Sequence, residues 1–191
     1  MLALVAVSLV LLLSGGGRAT AQSAERITNY RTTIAIQDDG RLEITEVIAY
    51  DFGSNERHGI FRDIPTRFPF DSEHERIYPL HLRSVTADPE STPTDTKVSE
   101  VDNVTRIRIG DPDVTITGQH TYVITYEVEG ALNHFEDHDE LFWNAIGTGV
   151  GTTPVGIATT TVSPEWNPKS SCVKRAVLPS TLAEVQGSDE P

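Results

Sequence analysis

Residues 34–52 read IAIQDDGRLEITEVIAYDF, and the alternation in this stretch decides the fold class. Ile34 and Ile36 flank Ala35, Asp38-Asp39-Gly40 supplies a turn, and Leu42, Ile44, Ile48, Tyr50 and Phe52 then fall on alternate positions. Successive side chains of a strand point to opposite faces, so an apolar residue at every second position marks one buried face. Two such runs joined through Asp-Gly predict a β-hairpin. Glu46 breaks the pattern, because it has the same parity as Leu42, Ile44 and Ile48. A carboxylate on a buried face is costly unless it is paired and hydrogen-bonded. Shortly after the hairpin, residues 57–65 read RHGIFRDIP, and Arg62 there offers a planar fork that can take a carboxylate with two bonds. A structural Glu46–Arg62 pair is therefore expected.

Outward from the hairpin, period-two patterning continues from residue 27 to 163. The VTIT run at 114–117 is expected to pair with 120–128 around Gly118, with Tyr122, Ile124, Tyr126 and Val128 forming one face. Further strands are expected within 77–87, 97–101, 104–109, 141–146 and 155–162. No window sustains a helical apolar stripe over three turns, so at most one short helix or helical turn is expected, near 133–140 or 57–64. The predicted class is all-β with little helix, an antiparallel β-sandwich of the immunoglobulin or fibronectin-like Greek-key kind. Residues 88–96, DPESTPTDT, read as a solvated loop, and 165–191 as a weakly ordered, proline-bearing tail or linker.

The N-terminus has a different character. MLALVAVSLVLLLSGGGRATAQ carries an apolar run from Leu2 to Leu13, interrupted only by Ser8, then small residues and Ala19-Thr20-Ala21. This is the layout of a secretory signal peptide over residues 1–21, cleaved after Ala21 or kept as an anchor, with an exported domain at 22–164. No Lys or Arg precedes the apolar run, and the run is short for a membrane span of about 20 residues. The formal charge is −13, and residues 1–21 hold one cation, Arg18, and no acid, so it becomes −14 without them. Such a chain repels phosphate backbones, which excludes nucleic acid as a general partner. The single Cys172 allows no internal disulfide, so an exported domain of this kind is held by packing alone.

Few residues suggest chemistry. His134 and His138, four apart among Glu136, Asp137, Asp139 and Glu140, would share a helix face and could hold a divalent metal. With only Phe135 to anchor such a helix, an acidic surface loop is the plainer reading. GTGVGTTP at 147–154 lacks a following helix whose N-terminus could face a phosphate, so it reads as a bend between strands. There is no G-x-S-x-G elbow, and no motif points to a cofactor. Asn103-Val104-Thr105 fits a glycosylation sequon by composition alone. In RHGIFRDIP, Gly59 permits a tight chain path, while Ile60, Phe61 and Ile64 are expected to face the core. His58 and Asp63 are the groups left to meet a ligand.

RHGIFRDIP also carries a resemblance. Together with DGRLEITEVIAYDF (39–52), DVTITGQHTYVITYEVEGAL (113–132), DELFWNAIGTG (139–149) and TPVGIATTTVSP (153–164), it resembles the N-terminal extracytoplasmic domain of the YciQ-like bacterial predicted membrane proteins, a family without an assigned activity. The family's signature positions land on His58, Gly59, Ile60, Phe61, Arg62, Ile64 and Pro65, and later on Leu141, Trp143, Asn144 and Gly147. The resemblance implies a signal peptide, an exported β-rich domain and then membrane-spanning helices. This chain stops at Pro191 without such helices and has no second cysteine after Cys172, so its attachment to the membrane stays open. The expected function is a non-enzymatic binding or sensing module at the bacterial cell surface, with a cell-wall or membrane-protein partner. The competing readings are a cell-wall glycan-acting enzyme and a divalent-metal-binding domain.

Overall fold

Strand follows strand from residue 26 onward, in line with the period-two patterning. The computed structural model describes residues 25–136 and 139–144, together with three later strands at Ala158–Ser163, Val173–Val177 and Glu184–Val185. In chain order the strands are β1 (Arg26–Ile36), β2 (Leu42–Asp51), β3 (Ile60–Pro65), β4 (Arg67–Pro69), β5 (Glu75–Ile77), β6 (Leu80–Asp88) and β7 (Thr96–Val101). They continue as β8 (Val104–Ile109), β9 (Gln119–Val128), β10 (Leu132–His134), β11 (Asp139–Phe142) and the three later strands β12, β13 and β14. Among the described residues there is no helix, and the fold is all-β and sandwich-like.

One layer is a six-stranded sheet in the order β14-β12-β1-β2-β9-β6, and facing it is a three-stranded sheet in the order β3-β8-β7. The hairpin at 34–52 forms with Ile36 opposite Leu42 and Ile34 opposite Ile44. Its turn closes through Gly40 N donating to the Gln37 carbonyl at 2.9 Å. The antiparallel partner of β2 on its other side is β9, with Ile44 opposite Tyr126 and Glu46 opposite Ile124. The inward row of the large sheet (Tyr30, Ile34, Ile44, Ile48, Tyr122, Ile124) packs in one core cluster with Ile60, Ile64, Ile107 and Ile109 of the small sheet. β12 joins β1 in parallel, with Tyr30 opposite Ala158 and Ile34 opposite Val162.

Several expectations change. Residues 114–117 are not a strand; Ile116 makes a single bridge to Arg57, and β9 pairs with β2 and β6 instead. Both places considered for a helical turn, 57–64 and 133–140, contribute strands. Phe61 is 55% exposed, while Ile60, Arg62 and Ile64 are buried. The reason is parity: within β3 the residue that shares the face of Ile60 and Ile64 is Arg62, which sends its neighbour Phe61 outward. Thr92, in the 88–96 loop, is buried against His120 of β9. Residues 165–191 hold β13, which runs parallel to β11, and β14, which runs parallel to β12.

Candidate functional site

Glu46 reaches the core because β2 alternation gives it no other direction, and the strands around it determine its company. Thr32 of β1 lies directly opposite it, and Tyr126 of β9 is one inward position away. From the facing sheet Arg62 extends its guanidinium across the interior: Nε donates to Glu46 Oε2 at 2.6 Å and Nη2 to Glu46 Oε1 at 2.7 Å. Tyr126 Oη donates to Oε1 as well, at 2.6 Å, and Arg62 Nη1 donates to the Asp63 carbonyl at 2.5 Å. Both charged side chains are fully buried. Removal from water works against the Arg62 charge. The Glu46 carboxylate and the neighbouring Tyr30 and Tyr126 phenols outweigh that, and hold the guanidinium well above its ordinary pKa. Burial first and the Glu46 charge second push the Tyr126 phenol far up. Tyr30 is pushed up too, chiefly by burial, with Arg62 opposing and Glu46 adding to it. Its hydroxyl makes no hydrogen bond of ordinary geometry among the described residues, although it feels the Glu46 and Thr32 groups nearby.

The rest of the RHGIFRDIP run is also engaged. Asp63 points to the outer face of the small sheet, where Arg106 of β8 closes on it with two bonds of 2.6 Å, Nε to Oδ1 and Nη2 to Oδ2. The same guanidinium stands 5.4 Å from the centre of the Phe61 ring. His58 is exposed, and its Nδ1 lies 3.0 Å from the Val114 carbonyl; a carbonyl only accepts, so Nδ1 is the donor. Gly59 has φ +133°, and a Cβ there would lie 2.0 Å from the Ile109 carbonyl oxygen. Gly110, at φ +128°, stands in the reciprocal position, with its Cβ direction 1.9 Å from the His58 carbonyl oxygen. The two backbones thus touch where β3 begins, and a side chain on either would part them. Pro65 ends β3 opposite Val104, on the edge of the small sheet, where a missing N–H is tolerated. Trp143 is buried and meets Tyr78 edge to face at 6.1 Å, and Asn144 beside it is half-buried.

The family model for the N-terminal domain of the predicted membrane proteins called DUF2207 matches residues 26–173. The chain belongs to this family. The DUF2207 domain is also similar to the uncharacterized protein YciQ of Escherichia coli strain K12, 28% identical over 127 residues. That match takes in 64% of this chain and 20% of YciQ, so the chain spans about a fifth of that relative's length. Among solved structures it is similar to an M1 zinc metallopeptidase variant from Deinococcus radiodurans, with TM-score 0.41 and 8% identity over 75% of this chain and 32% of that one. It is also similar to the leukotriene A4 hydrolase of Saccharomyces cerevisiae, with TM-score 0.37 and 10% identity over 54% of this chain and 15% of that one. Overlaps this slight carry no argument about chemistry.

Within the DUF2207 domain, then, the structure brings Glu46 and Arg62 together and ties Asp63 to Arg106, while His58 stands apart at the surface. The backbone of His134 pairs with Asp139 across β10 and β11, not in a helix; its side chain and the whole of His138 lie outside the described residues, as does Gly147 with the 147–154 run. No group of three potential metal ligands occurs among the described residues. A shallow groove of about 560 Å³ opens between the β4–β5 and β7–β8 hairpins, lined by Arg67, Phe68, Glu75, Glu100, Asp102 and Asn103. Its carboxylates are exposed, without the apolar enclosure that makes a carboxyl a general acid. Tyr126 and Arg106 are the two participants that sequence reasoning missed. A buried tyrosine needs a partner for its hydroxyl, and that need is the one signal that could have linked Tyr126 to Glu46.

Proposed function

We propose that this domain is an exported, non-enzymatic binding or sensing module on the outer side of a bacterial membrane, the outward part of a predicted membrane protein. One observation carries the reading. The charged groups at Arg62 and Asp63 are spent on partners within the domain, Arg62 on Glu46, which also accepts from Tyr126, and Asp63 on Arg106. A carboxylate closed by a guanidinium in a dry interior fastens two sheets and has no free lone pair aimed at a substrate. The apolar run at Leu2–Leu13 with Ala19-Thr20-Ala21 supports export, and the acidic balance supports a partner other than nucleic acid. The work of such a module lies on its outer surfaces, with the latch keeping those surfaces in place.

The test combines topology with retention. In intact bacteria producing the chain with a C-terminal tag, externally added protease should degrade the domain, and isolated cell envelopes should retain the purified chain without release of sugars or peptides. Protection from the protease in intact cells, with cleavage only after lysis, would overturn the outward placement. Release of reducing sugar from wall polymer, lost in the groove variants Glu75→Gln and Glu100→Gln, would turn the reading to a glycan-acting enzyme.

A further inference from the structure

The outer face of the small sheet differs from the rest of the molecule. Cross-strand register sets Phe61, Arg108 and Lys97 in one row over β3, β8 and β7, and Asp63, Arg106 and Ser99 in the next. Strands lie ~4.8 Å apart, so each row spans about 10 Å. In a chain of formal charge −13, these two rows gather three cations against one carboxylate, which Arg106 already closes, and Asp102 of the β7–β8 turn acts on Arg106 as well. Arg108 is half-buried, and its Nε is shielded from solvent with no hydrogen-bond partner among the described residues. An anion that reaches the outer nitrogens of Arg108 meets a guanidinium already partly desolvated, which strengthens a charge-assisted bond there. Beside it the Phe61 ring is 55% exposed and is fixed by the Arg106 guanidinium over it.

We infer that this face binds an anionic glycan, with a sugar ring stacked on Phe61 and its carboxylate or phosphate held by Arg108 and Lys97. The inference rests on the reading of the domain as an envelope-binding module and names the class of its ligand. The geometry suits a ring carrying an anion: an apolar platform sits next to forked donors on a flat, solvent-facing sheet. Long nucleic acid does not fit, because beyond the row the acidic surface would repel its backbone.

Titration calorimetry of the purified chain tests this with three probes: an oligogalacturonate, a phosphorylated mannooligosaccharide and a neutral galactooligosaccharide. At least one anionic probe should bind, weakening as salt rises, and the neutral one should not. Arg108→Gln and Phe61→Leu should each weaken binding about tenfold, and the exposed control Arg31→Gln should change it less than about twofold. Circular dichroism on each variant shows whether the fold is kept, and the salt dependence of the unaltered chain reads the same site without any substitution. Binding by the anionic probes determines whether carboxylate or phosphate is preferred. Equal binding of the neutral probe, or unchanged binding in both variants, overturns the inference. If neither anionic probe binds while isolated envelopes still retain the chain, this inference falls and the module reading stands; if envelopes do not retain it, both fall.

Discussion

Glu46→Gln keeps the shape of the side chain and removes the charge that Arg62 was folded around. The guanidinium is then left buried without a counter-ion, which costs about 3–5 kcal/mol. Urea unfolding should show that loss as a lower midpoint at unchanged slope. Replacing the pair together, Glu46→Leu with Arg62→Met, should return most of the stability, because a packed apolar core substitutes well for a buried ion pair. Tyr126→Phe removes one donor from the carboxylate and should cost about 1–3 kcal/mol. If Glu46→Gln unfolds at the same urea concentration as the unaltered chain, the pair is not what fastens the sheets. Glu46 was legible in the sequence because it breaks an otherwise apolar alternation. Tyr126 was not, since a tyrosine is at home on an apolar face and its partner lies 80 residues away.

At the scale of the element, β3 depends on the contact where it begins. Gly59→Ala places a methyl 2.0 Å from the Ile109 carbonyl in a backbone region that side chains rarely adopt. Gly118 also has a positive φ, +77°, but nothing lies within 4 Å of its Cβ direction. Gly118→Ala should therefore cost only the left-handed backbone penalty of about 1–2 kcal/mol, and Gly59→Ala clearly more. Thermal melts of the two variants side by side check this, and equal losses would mean that the β3–β8 approach is not tight. The same strand shows where sequence patterning reads well and where it fails. Apolarity alone assigned Phe61 to the core, whereas strict parity with Ile60 and Ile64 assigns that place to Arg62. Residues 114–117 are β-branched and read as a strand, yet among the described residues the single bridge to Arg57 is all the pairing they find, because β2 and β6 already flank β9. Local pattern cannot show which partner is taken.

For the whole molecule, the all-β class and the hairpin at 34–52 were legible because they rest on short-range alternation. The parallel addition of β12 to β1 was not, since more than a hundred residues separate them and no periodicity records such a pairing. What the assembled sandwich does to its tyrosines is measurable as a whole-molecule property. Burial pushes Tyr122 up to about 12, and Tyr30 and Tyr126 further, against an ordinary value of 10.0. For a group whose pKa is raised by folding, the stabilisation is fully present below its unfolded value. It is lost as pH rises through the folded one. The fold's preference for neutral phenols should thus hold below pH 10 and decline above it, first through Tyr122 near 12. Of the five tyrosines, these three should resist ionisation in an ultraviolet titration while the fold lasts, and then ionise together as circular dichroism reports unfolding. Ionisation of Tyr30, Tyr122 and Tyr126 below pH 11 with the sheet signal intact would mean that the interior around Glu46 and Arg62 is open to water. A latch of the kind described could not then hold the outer sheet face in register.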